Sequence, residues 1–186
     1  MTFHGRIEVI TGCMFSGKSE ELVRRLRRAQ IARKRVLAIK HSSDDRYDVT
    51  DIGCHTGDKF KAVTAADVPE LAALIQDVDV VGIDEGQFFH PGLVELCEEL
   101  ANNGVRVIVA GLDQDSNAEP FGPIPALMVI AEDVTKLTAV CVQCGAPATR
   151  SYHKGRKTDQ VEVGANQYEA RCRHCWQGGM SGFLPG

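Results

Sequence analysis

Gly12, Gly17, Lys18 and Ser19 stand at the spacing G-x-x-x-x-G-K-[ST]. This spacing suits a polyphosphate: backbone N–H groups must close around its oxygens, and glycine lets the main chain adopt the required φ/ψ. Cys13, Met14, Phe15 and Ser16 complete the loop and offer main-chain donors. Lys18 is placed to reach β/γ oxygens, and the Ser19 hydroxyl to ligate Mg²⁺. The flanking residues 7–28, IEVITGCMFSGKSEELVRRLRR, read as an apolar strand, a turn and a helix. The helix N-terminus then faces the same phosphates.

A second group is Asp84 and Glu85, which end the apolar stretch VDVVGIDEGQFF. A carboxylate closing a buried strand fits the magnesium-supporting acid of a nucleotide site, and its neighbour is free to accept a proton from a nucleophile. Gln87 is grouped with them on the cofactor side. Asp44, Asp45 and Arg46 lie in HSSDDRYD, after another apolar strand. They are candidates for magnesium and phosphate contacts, with a solvated acidic turn as the alternative. A third group is Cys141/Cys144 and Cys172/Cys175, two Cys-x2-Cys pairs among seven cysteines. Four thiolates suit a closed structural Zn²⁺ site without an open catalytic position. His174 reads as a bystander, and Cys13, Cys54 and Cys97 as free buried thiols.

The elements that must position these groups alternate. A helix over about 19–33 puts Leu22, Leu26 and Ala29 on one face and arginines on the other, with the run Arg24–Arg28 read as solvated. Strands are expected at Arg35–Lys40, Phe60–Val63, Val78–Ile83, Val105–Gly111 and Lys136–Val140. Helices are expected at Val68–Gln76 (begun by Asp67), Pro91–Asn103 and Pro125–Glu132. Alternating β and α predicts an α/β fold, a RecA-like parallel sheet with helices on both faces. After Cys141 the pattern changes to a polar stretch with too little apolar content to fold alone, and Gly178–Gly186 reads as a frayed tail. The expected division is a nucleotide-binding core, 1–140, and a small zinc-stapled unit, 141–186.

The 186 residues, 44% hydrophobic and 25% charged, are ordinary for one globular domain with a small appendage. A net charge of −4 argues against a non-specific nucleic-acid or membrane binder. With no bilayer-length apolar run and no signal-peptide pattern, a cytoplasmic location is expected.

Six pieces resemble the type II, zinc-containing thymidine kinases in their bacterial form, in family order through nearly the whole chain. They are TGCMFSGKSEELVRRLRR, DDRY (Asp44–Tyr47), DEGQFF (Asp84–Phe89), GLDQD with PFG (Gly111–Gly122), KLTAVC (Lys136–Cys141) and VEVGANQYEARCRHC (Val161–Cys175). The resemblance implies transfer of the γ-phosphate of ATP to the 5'-hydroxyl of thymidine. It places the base on Glu85, a phosphate contact on Arg46 and a magnesium contact on Asp44. It implies that a zinc-pinned lasso between Cys144 and Cys172 covers the nucleoside with Val161, Val163, Gly164 and Tyr168, and that position 116, here Ser116, lines the thymine pocket. Met14 is placed with the substrate, and Phe88 and Phe121 remain to supply apolar walls, with ordinary core residues as the alternative for both. It also suggests a homotetramer inhibited by dTTP. Two departures stand out. Cys13 replaces the family's proline, a position expected to contribute backbone alone, and Ser116 replaces an aromatic of the thymine pocket.

Two other readings compete. A zinc-ribbon NTPase acting on nucleic acid would use Lys154, Arg156, Lys157, Arg171 and Arg173, but the acidic total and few aromatics speak against it. A nucleotide-binding regulator without phosphoryl transfer has no use for a base at Glu85.

Overall fold

The structure, a computed structural model, describes residues 5–43, 51–53, 59–155 and 167–181. Its centre is a six-stranded sheet. The strands are β1 (Arg6–Gly12), β2 (Val36–His41), β5 (Val63–Ala65), β6 (Val80–Asp84), β7 (Arg106–Gly111) and β8 (Asp133–Leu137). Their order is β5-β2-β6-β7-β1-β8, and every adjacent pair is parallel. All strand C-termini therefore meet at one edge, where β1 delivers the phosphate loop and β6 delivers Asp84.

The sheet is covered on both faces because its strands are apolar on both. Val107 and Val109 of β7 join one buried cluster, and Ile108 and Ala110 join another. Against the first pack α2 (Val68–Leu74), α3 (Leu93–Asn102) and α4 (Ile124–Ile130), through Leu71, Leu93, Cys97, Ile124 and Leu127. Against the second packs α1 (Lys18–Ile31), through Leu22, Val23, Leu26 and Ala29. Here α1 comes so close to β6 that a Cβ at Gly82 would lie 2.7 Å from Leu26 Cδ1. The α/β architecture expected from alternation is borne out. Among the described residues, no helix is long and apolar enough to cross a membrane.

Four local expectations are corrected. The segment Phe60–Val63 is not one strand: β4 (Lys59–Lys61) pairs antiparallel with β3 (Asp51–Gly53), and Val63 begins β5 in the main sheet. The last sheet strand is β8 at 133–137, and Ala139–Val140 instead forms β9, paired with β10 (Pro147–Ala148). β8 is an edge strand with little burial, so its apolar signal was weak. Arg25 is not on a solvated face; it is buried and bonds Glu8 and Glu21. Gly178 and Gly179 lie inside α5 (Arg173–Ser181), because Gly179 packs where a Cβ would meet Arg171 and Tyr152.

Candidate active site

The phosphate loop leaves β1 at Gly12, whose φ of 142° lies in the region glycine favours. A Cβ there would sit 2.4 Å from the Leu137 carbonyl oxygen and 2.8 Å from Ser16 Oγ, so the loop is folded back tightly on itself and on the end of β8. Gly17, at φ 85°, turns the chain into α1. Ser16 Oγ is buried inside this loop and has no hydrogen-bond partner among the described residues, an arrangement suited to meeting a ligand oxygen. Lys18 Nζ donates to the Cys13 carbonyl at 2.9 Å, across the mouth of the loop.

Strand β6 is buried throughout and ends at Asp84. Burial, then the charge of Glu85, pushes the Asp84 carboxyl up to about 7, against a hydrogen bond from Ser19 and the charge of Lys18. The structure thus brings Lys18, Ser19, Asp84 and Glu85 together from two elements separated in sequence by the whole β2–β5 region. Glu85 is in the left-handed conformation, φ 54° and ψ 38°, unusual for a non-glycine residue and typical of functional turns. Its N–H donates to Asp84 Oδ1 at 3.0 Å. Gln87, 2% exposed, donates through Nε2 to Glu85 Oε2 at 2.5 Å and accepts the Leu112 N–H at 3.0 Å. Gln87 therefore engages the carboxylate and the next loop, a role its place in sequence did not reveal.

That loop, 112–123, forms the neighbouring wall. Asp113 is buried and bonds Thr11 Oγ1 (3.1 Å) and Lys136 Nζ (2.5 Å). Burial works to raise the Asp113 pKa, but Lys136 and Thr11 outweigh it and hold the carboxyl below its ordinary value. Phe88 meets Phe121 edge-on at 5.8 Å between ring centroids and His41 at the same separation. Ser116 is half-buried, and its carbonyl accepts Trp176 Nε1–H at 3.3 Å.

The four cysteines converge. The hairpin β9–β10 bends through Gly145 (φ 75°), where Gly145 N–H donates to the Cys141 carbonyl and Cys141 N–H to the Ala146 carbonyl. Of the second pair, Cys172 directly follows β12 (Tyr168–Arg171), which pairs antiparallel with β11 (Arg150–His153), and Cys175 lies on the first turn of α5. The sulfurs all lie within 4.8 Å of one another, and Cys144 Sγ is 3.7 Å from Cys172 Sγ. Thiolates bound tetrahedrally to zinc at about 2.3 Å stand about 3.8 Å apart, so the donor set fits that ion. N–H groups led by that of Cys172 draw the Cys141 thiol down to about 6, favouring the thiolate. His174 is not part of the cluster.

Tyr168 lies on β12, with its ring 4.9 Å from that of His153. Asp44, Arg46, Val161, Val163 and Gly164, and also Cys54, lie outside the described residues. Residues that the sequence alone did not single out include Arg150, which donates to Gln114 Oε1 at 2.5 Å, and Ser151 and Trp176, which reach the loops from the cysteine-bearing segment. No motif marks them; their partners are more than 30 residues away.

A family model described as thymidine kinase matches residues 5–176. The thymidine kinase of Bacteroides fragilis strain YCH46 is 48% identical over 174 residues, which are 93% of this chain and 87% of that protein. The thymidine kinase of Rhodothermus sp. strain ITI 518 is 51% identical over 93% of this chain and 82% of its own length. With a phosphate loop, a strand-end Asp-Glu pair and a four-cysteine cluster on a parallel sheet, and with a match across nearly its whole length, the chain belongs to the thymidine kinase family.

Proposed function

We propose that the chain transfers the γ-phosphate of ATP to the 5'-hydroxyl of thymidine, giving dTMP and ADP. The observation that carries this reading is the placement of Glu85 beside Asp84, Ser19 and Lys18, with its carboxylate held by Gln87. The phosphate loop, residues 12–19, binds the triphosphate through its N–H groups and Lys18, and Lys18 neutralises charge on the transferring phosphoryl group. Ser19 and Asp84, joined by Asp44, would hold Mg²⁺ partly through water; when bound, that ion neutralises the phosphate oxygens. Arg46 adds a phosphate contact. Glu85 takes the proton of the 5'-hydroxyl as it attacks; Gln87 and the left-handed backbone fix its direction.

Met14, Phe88, Ser116 and Phe121 line the nucleoside site under a lid bearing Val161, Val163, Gly164 and Tyr168. The chain divides into a kinase core, 1–140, and a zinc-binding lid unit, 141–186, in which Cys141, Cys144, Cys172 and Cys175 hold one structural Zn²⁺. A cytoplasmic homotetramer inhibited by dTTP, with no nucleic-acid partner, completes the reading. ATP turnover with thymidine, with single-stranded DNA and with neither is the test. Turnover that needs thymidine supports the reading; turnover stimulated by DNA alone would replace it with a nucleic-acid NTPase. Elemental analysis should find about one zinc per chain, lowered in Cys141→Ser while the sheet stays folded.

A further inference from the structure

The four-cysteine segment touches the phosphate loop itself, not only the nucleoside side. Cys13, 4% exposed, donates its S–H to the Ala148 carbonyl at 3.3 Å. The carbonyl of the same residue accepts Lys18 Nζ at 2.9 Å. Next in sequence, Met14 N–H donates to Ser151 Oγ at 3.1 Å, and Ser151 is 4% exposed on β11. Cys13 shares an apolar cluster with Ala139, Cys141, Ala148 and Ala170, against which Cys172 and Cys175 pack. One of the candidate metal ligands, Cys141, thus shares a buried cluster with the loop residue whose carbonyl holds Lys18.

We propose that Ser151 and Cys13 are positioning residues of the phosphate loop, through which the four-cysteine metal site and the nucleotide site are energetically coupled. The inference rests on the reading that this loop binds ATP. The cluster around Cys13 consists of alanines and cysteines, whose small side chains bury little apolar surface, so metal coordination adds to the β11–β12 ladder in fixing the segment. With the metal bound, Ala148 and Ser151 have fixed positions and hold Cys13 and Met14 in place. With it removed, those two partners loosen, the loop conformation is no longer held, and Lys18 loses a defined anchor. A loop that must be ordered on binding takes nucleotide less tightly. Reciprocity then requires that nucleotide tighten the metal. At position 13 this chain uses its side chain, where a proline has no donor to offer.

The test uses the full chain and a non-hydrolysable ATP analogue with Mg²⁺, without nucleoside. Calorimetry on zinc-loaded and chelator-stripped protein should give a dissociation constant about tenfold higher after stripping, within the usual range of such couplings. Hydrogen exchange of β1, β6 and β7 checks that the stripped sheet is folded. Ser151→Ala should weaken analogue binding to the loaded protein several-fold and reduce the stripping effect to about twofold, whereas Ser151→Thr, which keeps the acceptor, should behave as wild type. If stripped protein unfolds, the reciprocal measurement starts from loaded protein: in equilibrium competition with a chelator, saturating analogue should raise the zinc affinity about tenfold in wild type and only about twofold in Ser151→Ala. An affinity unchanged by stripping, zinc affinity unchanged by analogue, or full coupling in Ser151→Ala overturns the proposal. No analogue binding to loaded wild type would instead overturn the ATP reading on which it stands.

Discussion

Two carboxylates are buried in the sheet, one towards each end, and their surroundings drive them in opposite directions. Glu8, 1% exposed near the start of β1, is surrounded by Arg6 (2.5 Å), Arg25 (2.7 Å) and Arg106 (2.6 Å). Burial works to raise its pKa, but Arg106 and Arg25 win and hold it below its ordinary value of 4.5. Asp84, 5% exposed at the end of β6, has among the described residues no arginine to offset its burial and has a carboxylate neighbour instead; burial first, and then the charge of Glu85, push its pKa up to about 7. Glu8 joins α1, β1 and β7 through charge that is compensated within the protein. At the other end the negative charge is left under-compensated, which favours a cation there and costs stability without one. One end carries a charge balanced within the fold, and the other carries a charge that the fold leaves unbalanced.

The largest expected effect lies at the ligand end. Glu85→Gln preserves shape and removes basicity, so turnover should fall by about 10² to 10⁴ with ATP and thymidine binding retained. A loss below threefold in steady-state kinetics would make Glu85 a structural carboxylate like Glu8. Lys18→Ala should cost about 10² to 10³ in turnover with the melting temperature unchanged, because Lys18 stabilises developing charge and not the core.

Next comes the stability end. Glu8→Gln removes the carboxylate from Arg106 and Arg6 and leaves Arg25 with Glu21, and should destabilise the fold by about 3 kcal/mol in urea unfolding. Its pH sign follows from the lowered folded pKa: the Glu8 contribution is present above 4.5 and is lost as pH falls through the lower folded value. Loss of less than 1 kcal/mol would show that the arginines are satisfied elsewhere.

Asp84→Asn should do the reverse. In the absence of Mg²⁺ it should raise the melting temperature at pH 8 by about 2–4 °C, equivalent to about 1 kcal/mol for a chain of this size, while removing Mg²⁺-dependent nucleotide binding. The folded pKa is raised, so wild type loses stability as pH rises from about 3.8 to about 7, and the variant should show a flatter profile across that window. A destabilised variant would place Asp84 with Glu8 as a structural group.

The smallest effect is expected at Ser116. An added ring in Ser116→Phe should lower the thymidine KM about fivefold, near the lower end of base-stacking energies, with ATP binding unchanged. A raised KM would show that Phe88 and Phe121 already fill the space.

The sequence by itself determined the parts whose physics is local. The loop spacing, the Asp-Glu pair, the Cys-x2-Cys pairs and the alternation of apolar strands with amphipathic helices each need only a few consecutive residues, and all recur in the structure. Weakly buried or very short segments were misread for the same reason: β8, β9 and the break at Ala62 carry little periodic signal. Arg25 was placed in solvent because its helical neighbours are arginines, and only packing of α1 on β1 brings Glu8 beneath it. The left-handed Glu85, the Gln87 bridge and the contacts of Ser151 with Met14 and Trp176 with Ser116 were likewise decided by tertiary structure. A hydrogen bond between groups 60 or 137 positions apart leaves no spacing to read; it exists because the sheet order and the cysteine knuckles bring those backbones together.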